Sequence, residues 1–197
     1  MSARVAISFQ ESAVAAQSIK ISGVRFSLFL SEATIQTRVA EIGQHLSRTH
    51  AGLKPLIIGV LNGSFIFVAD LMRSITIPCE IDFCKLSSYR AQRVSSGTVQ
   101  ADLLIASSLA GRHVIVVDDI IDSGLTLHFM LQSMQTLNPE SMTVVALLHK
   151  KGALKADVQI DHVGFTIPNR FVVGYGLDWH QCCRNLRAIY MLDDEEP

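Results

Sequence analysis

Three aspartates, Asp118, Asp119 and Asp122, fall within five residues, after the apolar run HVIVV and directly before Ser123, Gly124 and Thr126. Carboxylates this close repel one another unless cations or ligand hydroxyls sit among them, so the cluster needs either full exposure or a function. The spacing is that of a DDxxD pattern, which elsewhere holds magnesium for diphosphate chemistry on helices. Here a β-rich run precedes it and a Ser-Gly-containing turn follows, so a strand, loop and helix is the better context. A glycine turn entering a helix presents unpaired N–H groups and the positive end of the helix dipole. Ser123 and Thr126 add hydroxyl donors, and a phosphate monoester fits there. Acidic residues just before such a loop can accept hydrogen bonds from vicinal sugar hydroxyls, so the whole stretch suits a ribose 5-phosphate. No GxxxxGKS sequence occurs, and a nucleoside-triphosphate loop of that type is not supported.

The elements that must carry this turn are legible in the flanking pattern. SEATIQTRVAEIGQHLSRTHAG places Ile35, Val39, Ile42 and Leu46 at helical spacing, with Ser31 as N-cap and Gly52 as the stop. PLIIGVL is too short and too branched for a helix and reads as a buried strand, followed by NGS and the helix FIFVADLMRSI. CEIDFCKLSSY alternates as a strand, and the polar stretch 90–100 after it reads as a mobile loop. HVIVV is a second buried strand, the DDIIDSG turn follows it, and LTLHFMLQSMQTL is a helix ended by Asn138-Pro139. MTVVALL, VGFTIP, FVVGYGLDW and AIYML are further strand-like stretches, and DDEEP is an acidic tail. Strands alternating with helices imply an α/β fold, a twisted parallel sheet covered on both faces, with ligands beyond the carboxyl ends of the strands.

VIVVDDIIDSGLTL resembles the phosphoribosyl-pyrophosphate binding motif of the phosphoribosyltransferases. Its flanks, GVLNGSFIFVADL, SSYRAQRVSSG, LLHK and FVVGYGLDWHQCCRNL, are similar in order and spacing to the 6-oxopurine branch of that family. The resemblance implies the type I phosphoribosyltransferase fold with a small hood and a mobile loop. It implies transfer of ribose 5-phosphate from phosphoribosyl pyrophosphate to hypoxanthine or guanine, with Mg2+ as cofactor and a homodimer or homotetramer as the assembly.

The resemblance also implies roles. Asp118 and Asp119 hold the ribose hydroxyls, directly or through magnesium, and Asp122 is the general base facing N7 of the purine. Asp122, Ser123, Gly124, Leu125 and Thr126 form the 5-phosphate loop, Leu125 through its backbone. Lys150 reads the exocyclic oxygen at purine C6, because an ammonium only donates. Phe171 or Trp179 stacks on the base, with Phe171 preferred, and Val172 meets it through the backbone. Asp178 is a further magnesium carboxylate beside the purine segment, and Arg184 contacts pyrophosphate. Leu61, Asn62 and Gly63 form the pyrophosphate loop, where many relatives carry lysine in place of Asn62. The family often has a cis peptide before that residue, which the sequence leaves open. Ser88 and Tyr89 match the mobile-loop pair. His180 is read as incidental, and Asp102, Asp157 and Asp161 as solvated charges.

The bulk numbers agree with this reading and exclude others. A chain of 197 residues, 49% hydrophobic and 18% charged, is long enough for a substantial core and is expected as one domain over 1–197, with 1–20 and 193–197 peripheral. A formal net charge of -1 gives no nucleic-acid footprint. No apolar run approaches the roughly 18 residues of a membrane span. The amino terminus does not read as a secretory signal, so a cytoplasmic protein is expected. Cys79, Cys84, Cys182 and Cys183 lack zinc-site spacing and read as reduced thiols. The alternative function is a regulatory or binding module of the same fold that senses the sugar donor or nucleotides. A phosphoribosyltransferase for another base would change Lys150 and the Phe171 segment.

Overall fold

The structure, a computed structural model, describes residues 7–9, 17–87 and 102–193. In chain order the elements are β1 (Ile7–Phe9), β2 (Ser18–Ile21), β3 (Val24–Leu30), α1 (Glu32–Thr49), β4 (Leu56–Val60), α2 (Phe65–Ser74) and β5 (Glu80–Ser87). They continue with β6 (Asp102–Leu104), β7 (His113–Ile121), α3 (Leu125–Gln135), β8 (Ser141–Lys150), β9 (His162–Ile167), β10 (Val172–Val173) and β11 (Ile189–Leu192). The main sheet has six strands in the order β6-β5-β4-β7-β8-β9. All neighbours run parallel except β5 and β6, which are antiparallel.

The alternation of side chains along each parallel strand divides the core. Ile57, Ile115, Val117, Val145 and Leu147 face α1 and α2 and meet Ile35, Val39, Leu46, Phe67 and Leu71. Their sequence neighbours Ile58, Val116, Val144 and Ala146 face α3 and meet Leu127, Met130 and Met134. Both faces of the strands are therefore covered, which is why the strands read as unbroken apolar runs. Ser31 caps α1, its hydroxyl accepting from the Thr34 N–H at 3.2 Å.

A second sheet of five strands, β1-β2-β3-β11-β10, is antiparallel throughout and forms the hood. One of its faces closes over Ile19, Ile21, Phe26, Val173 and Tyr190, while Val172, Ile189 and Met191 join the main core. A hydrogen bond ties the hood to the helices: Tyr175 Oη donates to Asp70 Oδ2 at 2.7 Å, and Gln36 Nε2 donates to the same oxygen at 2.6 Å. Burial first, and then the Asp70 carboxylate, hold the Tyr175 hydroxyl well above its usual range.

The structure departs from the sequence reading in three places. Residues 1–20 were expected at the periphery, but β1 and β2 lie in the hood sheet and Ile19 is buried. Within FVVGYGLDW only Val172–Val173 is a strand, because Gly174 and Gly176 turn the chain with φ of 98° and 100°. Strand β7 runs on through Asp118 and Asp119, which belong to the strand end and not to the turn. Its pairing with β8 continues through Asp118 with Ala146 and Ile121 with His149. Asp161 is exposed, as expected of a solvated charge, and its carboxylate also accepts from the Val144 N–H at 2.7 Å and from Gln159 Nε2 at 2.8 Å. The expected mobile loop, with Ser88 and Tyr89, lies outside the described residues.

Candidate active site

The order of the five parallel strands, β5-β4-β7-β8-β9, reverses direction of progression between β4 and β7. At such a switch point the connections from adjacent carboxyl ends part to opposite faces and leave a crevice. The loop 61–63 leaves β4 there, and the acidic segment leaves β7 beside it. Lys150 ends β8, the next strand over.

The loop after β4 is anchored at both ends. Leu61 N–H donates to the Cys84 carbonyl at 2.9 Å, and Ser64 Oγ donates to the Val60 carbonyl at 2.6 Å. The Leu61–Asn62 peptide is cis. Asn62 is exposed, and Gly63 is packed so closely that a Cβ there would overlap the Asp119 carboxylate. Gly176 of the hood in turn abuts the Gly63 carbonyl, where a Cβ would also collide. Three segments, the hood turn, the β4 loop and the end of β7, thus meet through two glycines.

Asp118 is buried, and its Oδ1 accepts from the Asp119 N–H at 3.0 Å. Burial raises both carboxyls above the usual range, and the Asp119 charge adds to the rise at Asp118. The Arg184 guanidinium pulls Asp119 the other way. Below them, burial and the charges of Asp118 and Asp82 push the Cys84 thiol up to about 12. The four cysteines are free thiols.

Gly124, with φ of 74°, turns the chain into α3 as its N-cap and has no side chain to cap it, and the Ser123 hydroxyl accepts from the Leu125 N–H only at a long 3.5 Å. Its side of the turn is sealed by Leu154 and Val158, which a Cβ on Gly124 would strike. The loop 152–156 is fastened on by the N–H groups of Lys155 and Ala156, which donate to the Ser123 carbonyl at 2.8 and 3.3 Å. The leading N–H groups of α3 and the Ser123 and Thr126 hydroxyls are donors of the kind that suit an anion at this end of the crevice. Asp122, half exposed, pairs with Lys150, whose Nζ lies 2.8 Å from Oδ2.

On the hood side, Phe171 is 42% exposed and Val172 is buried. Both oxygens of Asp178 are engaged, one by the Gln181 N–H at 2.8 Å and one by Arg184 at 2.8 Å. Arg184 also donates to the Gly176 carbonyl at 2.7 Å. A depression of about 480 Å³ is lined by Asp122, Ser123, Gly152, Leu154, Lys155 and Asn169. Lys155 and Asn169 were missed by the sequence reading; both lie in polar connections whose composition is that of ordinary surface loop. Among the described residues no group of three or more His, Cys, Asp or Glu gathers to hold a metal ion unaided.

Residues 31–180 match the family model described as the phosphoribosyl transferase domain. The chain belongs to the phosphoribosyltransferase family. It is 42% identical over 165 residues to the hypoxanthine-guanine phosphoribosyltransferase of Bacillus subtilis (strain 168), covering 84% of this chain and 92% of that protein. It is 37% identical over 172 residues to the hypoxanthine-guanine phosphoribosyltransferase of Dictyostelium discoideum, with 85% and 96% covered. Among solved structures, a hypoxanthine-guanine phosphoribosyltransferase from Bacillus anthracis superposes with a TM-score of 0.77 at 40% identity, covering 85% of this chain and 98% of that one. A hypoxanthine phosphoribosyltransferase from Staphylococcus aureus gives 0.77 at 38% identity, with 85% and 91% covered. This phosphoribosyltransferase carries the acidic pair, the uncapped α3 turn and the Lys150–Asp122 pair on one edge of its sheet, within the segment that the family model matches.

Proposed function

We propose that the chain is a purine-salvage phosphoribosyltransferase that joins ribose 5-phosphate from phosphoribosyl pyrophosphate to a 6-oxopurine, hypoxanthine or guanine, and releases pyrophosphate. The observation that carries the base specificity is the 2.8 Å pairing of Lys150 with Asp122 beside the uncapped turn of α3. A donor-only ammonium next to an acceptor carboxylate is the complement of an oxo group at C6 next to a protonated N7. Adenine offers an amino group at C6, which would face Lys150 donor to donor.

In this reading the N–H groups and hydroxyls of the loop 122–126 hold the 5-phosphate, and Asp118 and Asp119 accept from the ribose hydroxyls. Lys150 fixes the base through its oxygen, Phe171 stacks on it, and the Val172 backbone meets its edge. Asp122 takes the N7 proton as the new bond to the sugar forms. Positive charge grows on the sugar carbon as pyrophosphate leaves, so the leaving group must be received by the amides and carboxamide of Asn62 and Gly63 and by the Arg184 guanidinium. The crowding of two buried carboxylates at Asp118 and Asp119 fits a divalent cation, and so does the carboxylate of Asp178 at the crevice rim. Magnesium held there would supply charge neutralisation of the leaving pyrophosphate.

The regulatory-module alternative has no observation in its favour, since the relatives that cover most of the chain bear enzyme names. A cytoplasmic homo-oligomer suits the reading. No helix among the described residues is long and apolar enough to cross a membrane, and Phe65, Ile81 and Phe83 stand 43%, 43% and 38% exposed near α2 and β5. The deciding assay measures initial rates with phosphoribosyl pyrophosphate and magnesium for hypoxanthine, guanine, xanthine and adenine in turn. Turnover of 6-oxopurines without adenine, abolished by a chelator, is expected. Equal turnover of adenine, or none of any base, overturns the assignment.

A further inference from the structure

Phe171 does not stand alone at the rim of the crevice. Its ring meets the Trp179 indole edge-on, with centroids 5.3 Å apart and planes at 80°. The indole meets Phe26 in the same manner, at 5.5 Å and 78°, and Phe26 is fully buried in β3. His180 closes the remaining edge at 5.1 Å and 89°. A relay of perpendicular rings therefore runs from the hood core to the exposed Phe171.

The backbone holds the indole in that relay. Trp179 and Cys182 exchange hydrogen bonds, N–H to carbonyl at 3.0 and 2.9 Å, across a two-residue turn. The central residues His180 and Gln181 both have positive φ, 49° and 67°, as a type I′ turn demands, although neither is glycine. Non-glycine residues stay in that region only where surrounding contacts over-determine them. Here the Asp178 carboxylate does so by accepting from the Gln181 N–H. The indole N–H is buried without an acceptor among the described residues. A buried tryptophan ordinarily gives that N–H a partner, so at this position the ring surface is what the fold uses.

We propose that Trp179 is a positioning residue of the purine subsite: it sets the tilt of the Phe171 ring against which the base stacks, without touching the base itself. The inference rests on the phosphoribosyltransferase reading of Phe171. Edge-to-face pairing gives a preferred tilt, and its loss leaves Phe171 a half-exposed ring free to turn about its own side-chain bonds.

Steady-state kinetics of W179L, W179F, F171A and the F171A/W179L double variant, with hypoxanthine and the sugar donor varied separately, test this. Leucine keeps apolar bulk against Phe26 but has no ring edge. W179L is expected to raise the KM for hypoxanthine about three- to tenfold, the worth of an aromatic pair. Its kcat and its KM for the sugar donor should stay within about twofold of wild type. W179F should restore the base KM, since it returns a ring edge and removes an N–H that has no acceptor. In the F171A background W179L should add nothing, because its effect passes through the missing ring. An undiminished effect of W179L in that background, an equal loss in kcat and in donor KM, or an unchanged base KM overturns the proposal. A wild-type protein that turns over no purine overturns the parent reading, and the positioning role falls with it. Purine turnover with an unmoved W179L refutes the positioning role alone.

Discussion

At the scale of single residues the chemistry divides between groups that are poised and groups that are missing. Asp122 is poised, with Lys150 at 2.8 Å to hold it. Replacing it by asparagine keeps the size and one acceptor oxygen but removes the proposed base. D122N is therefore expected to lower kcat about a hundredfold or more while leaving the affinity for the nucleotide product within severalfold. Calorimetric titration beside the rate assay separates the two, and equal losses in both would show that Asp122 only binds. Asn62 marks the missing group, a neutral side chain on an exposed loop tip that receives pyrophosphate in the proposed reading. N62K adds a charge-assisted donor and is expected to lower the KM for the sugar donor about tenfold at low salt, with the gain shrinking as ionic strength rises. These residues could be named from the sequence because each sits in a short motif that resembles one of the family's. The sequence did not carry the cis Leu61–Asn62 peptide, Lys155 or Asn169. A peptide configuration has no signature in residue type, and polar loop residues look alike until the fold brings them to one cavity.

Elements were legible where both faces or one whole stripe are buried. β4, β7 and β8 are covered on two sides and appear as apolar runs, and α1 shows its stripe and its Ser31 cap. The hood was nearly illegible. β1, β2 and β10 are strands of two to four residues whose pairing is set by distant partners, β10 against β11 and β2 against β3. The sequence reading ends the strand at HVIVV and puts the acidic pair in the turn, yet pairing to β8 holds Asp118 and its neighbours extended. The caps make a clean test at this scale. Removing the Ser31 hydroxyl leaves the Thr34 N–H without its acceptor, so S31A is expected to cost about 1 kcal/mol, a fall of about 2–4 °C in Tm for a chain of this size. Thermal unfolding followed at the helix signal measures it, and an unchanged Tm would mean that water replaces the cap at no cost.

The whole molecule answers to pH at the edge opposite the crevice. Three elements bring His45 and the cap residue His50 of α1, His113 of β7 and His162 of β9 together at the amino ends of the strands, with the rings of His45 and His162 4.7 Å apart. Burial, and then the neighbouring imidazoles, hold His50 and His162 below their usual range, although the Leu46 carbonyl favours the charged form of His50 and Asp161 that of His162. The unfolded chain accordingly takes up protons near pH 6.5 that the folded chain refuses, and stability falls as pH drops below that value. The raised carboxyls of Asp118 and Asp119 act in the opposite sense, since burying their charge opposes folding at neutral pH and protonation relieves it. The test is thus a comparison: the loss in urea midpoint between pH 7.5 and pH 5.5 should be smaller in H50Q/H162Q than in wild type. An equal loss in the two proteins would place the acid sensitivity elsewhere.

The contact of Gly176 with the Gly63 carbonyl, and of Gly63 with the Asp119 carboxylate, also limits how this chain can change over many generations. Neither glycine can gain even a methyl group unless a backbone or a carboxylate gives way. No single change at one of them makes room for a side chain at the other. In a library of all single substitutions selected for activity, both positions should fall silent to every replacement, alanine included. Exposed Asn62, next to one of them, should accept many. The tolerance map would then draw the seam between hood and sheet as two isolated points, far apart in the chain and adjacent in space.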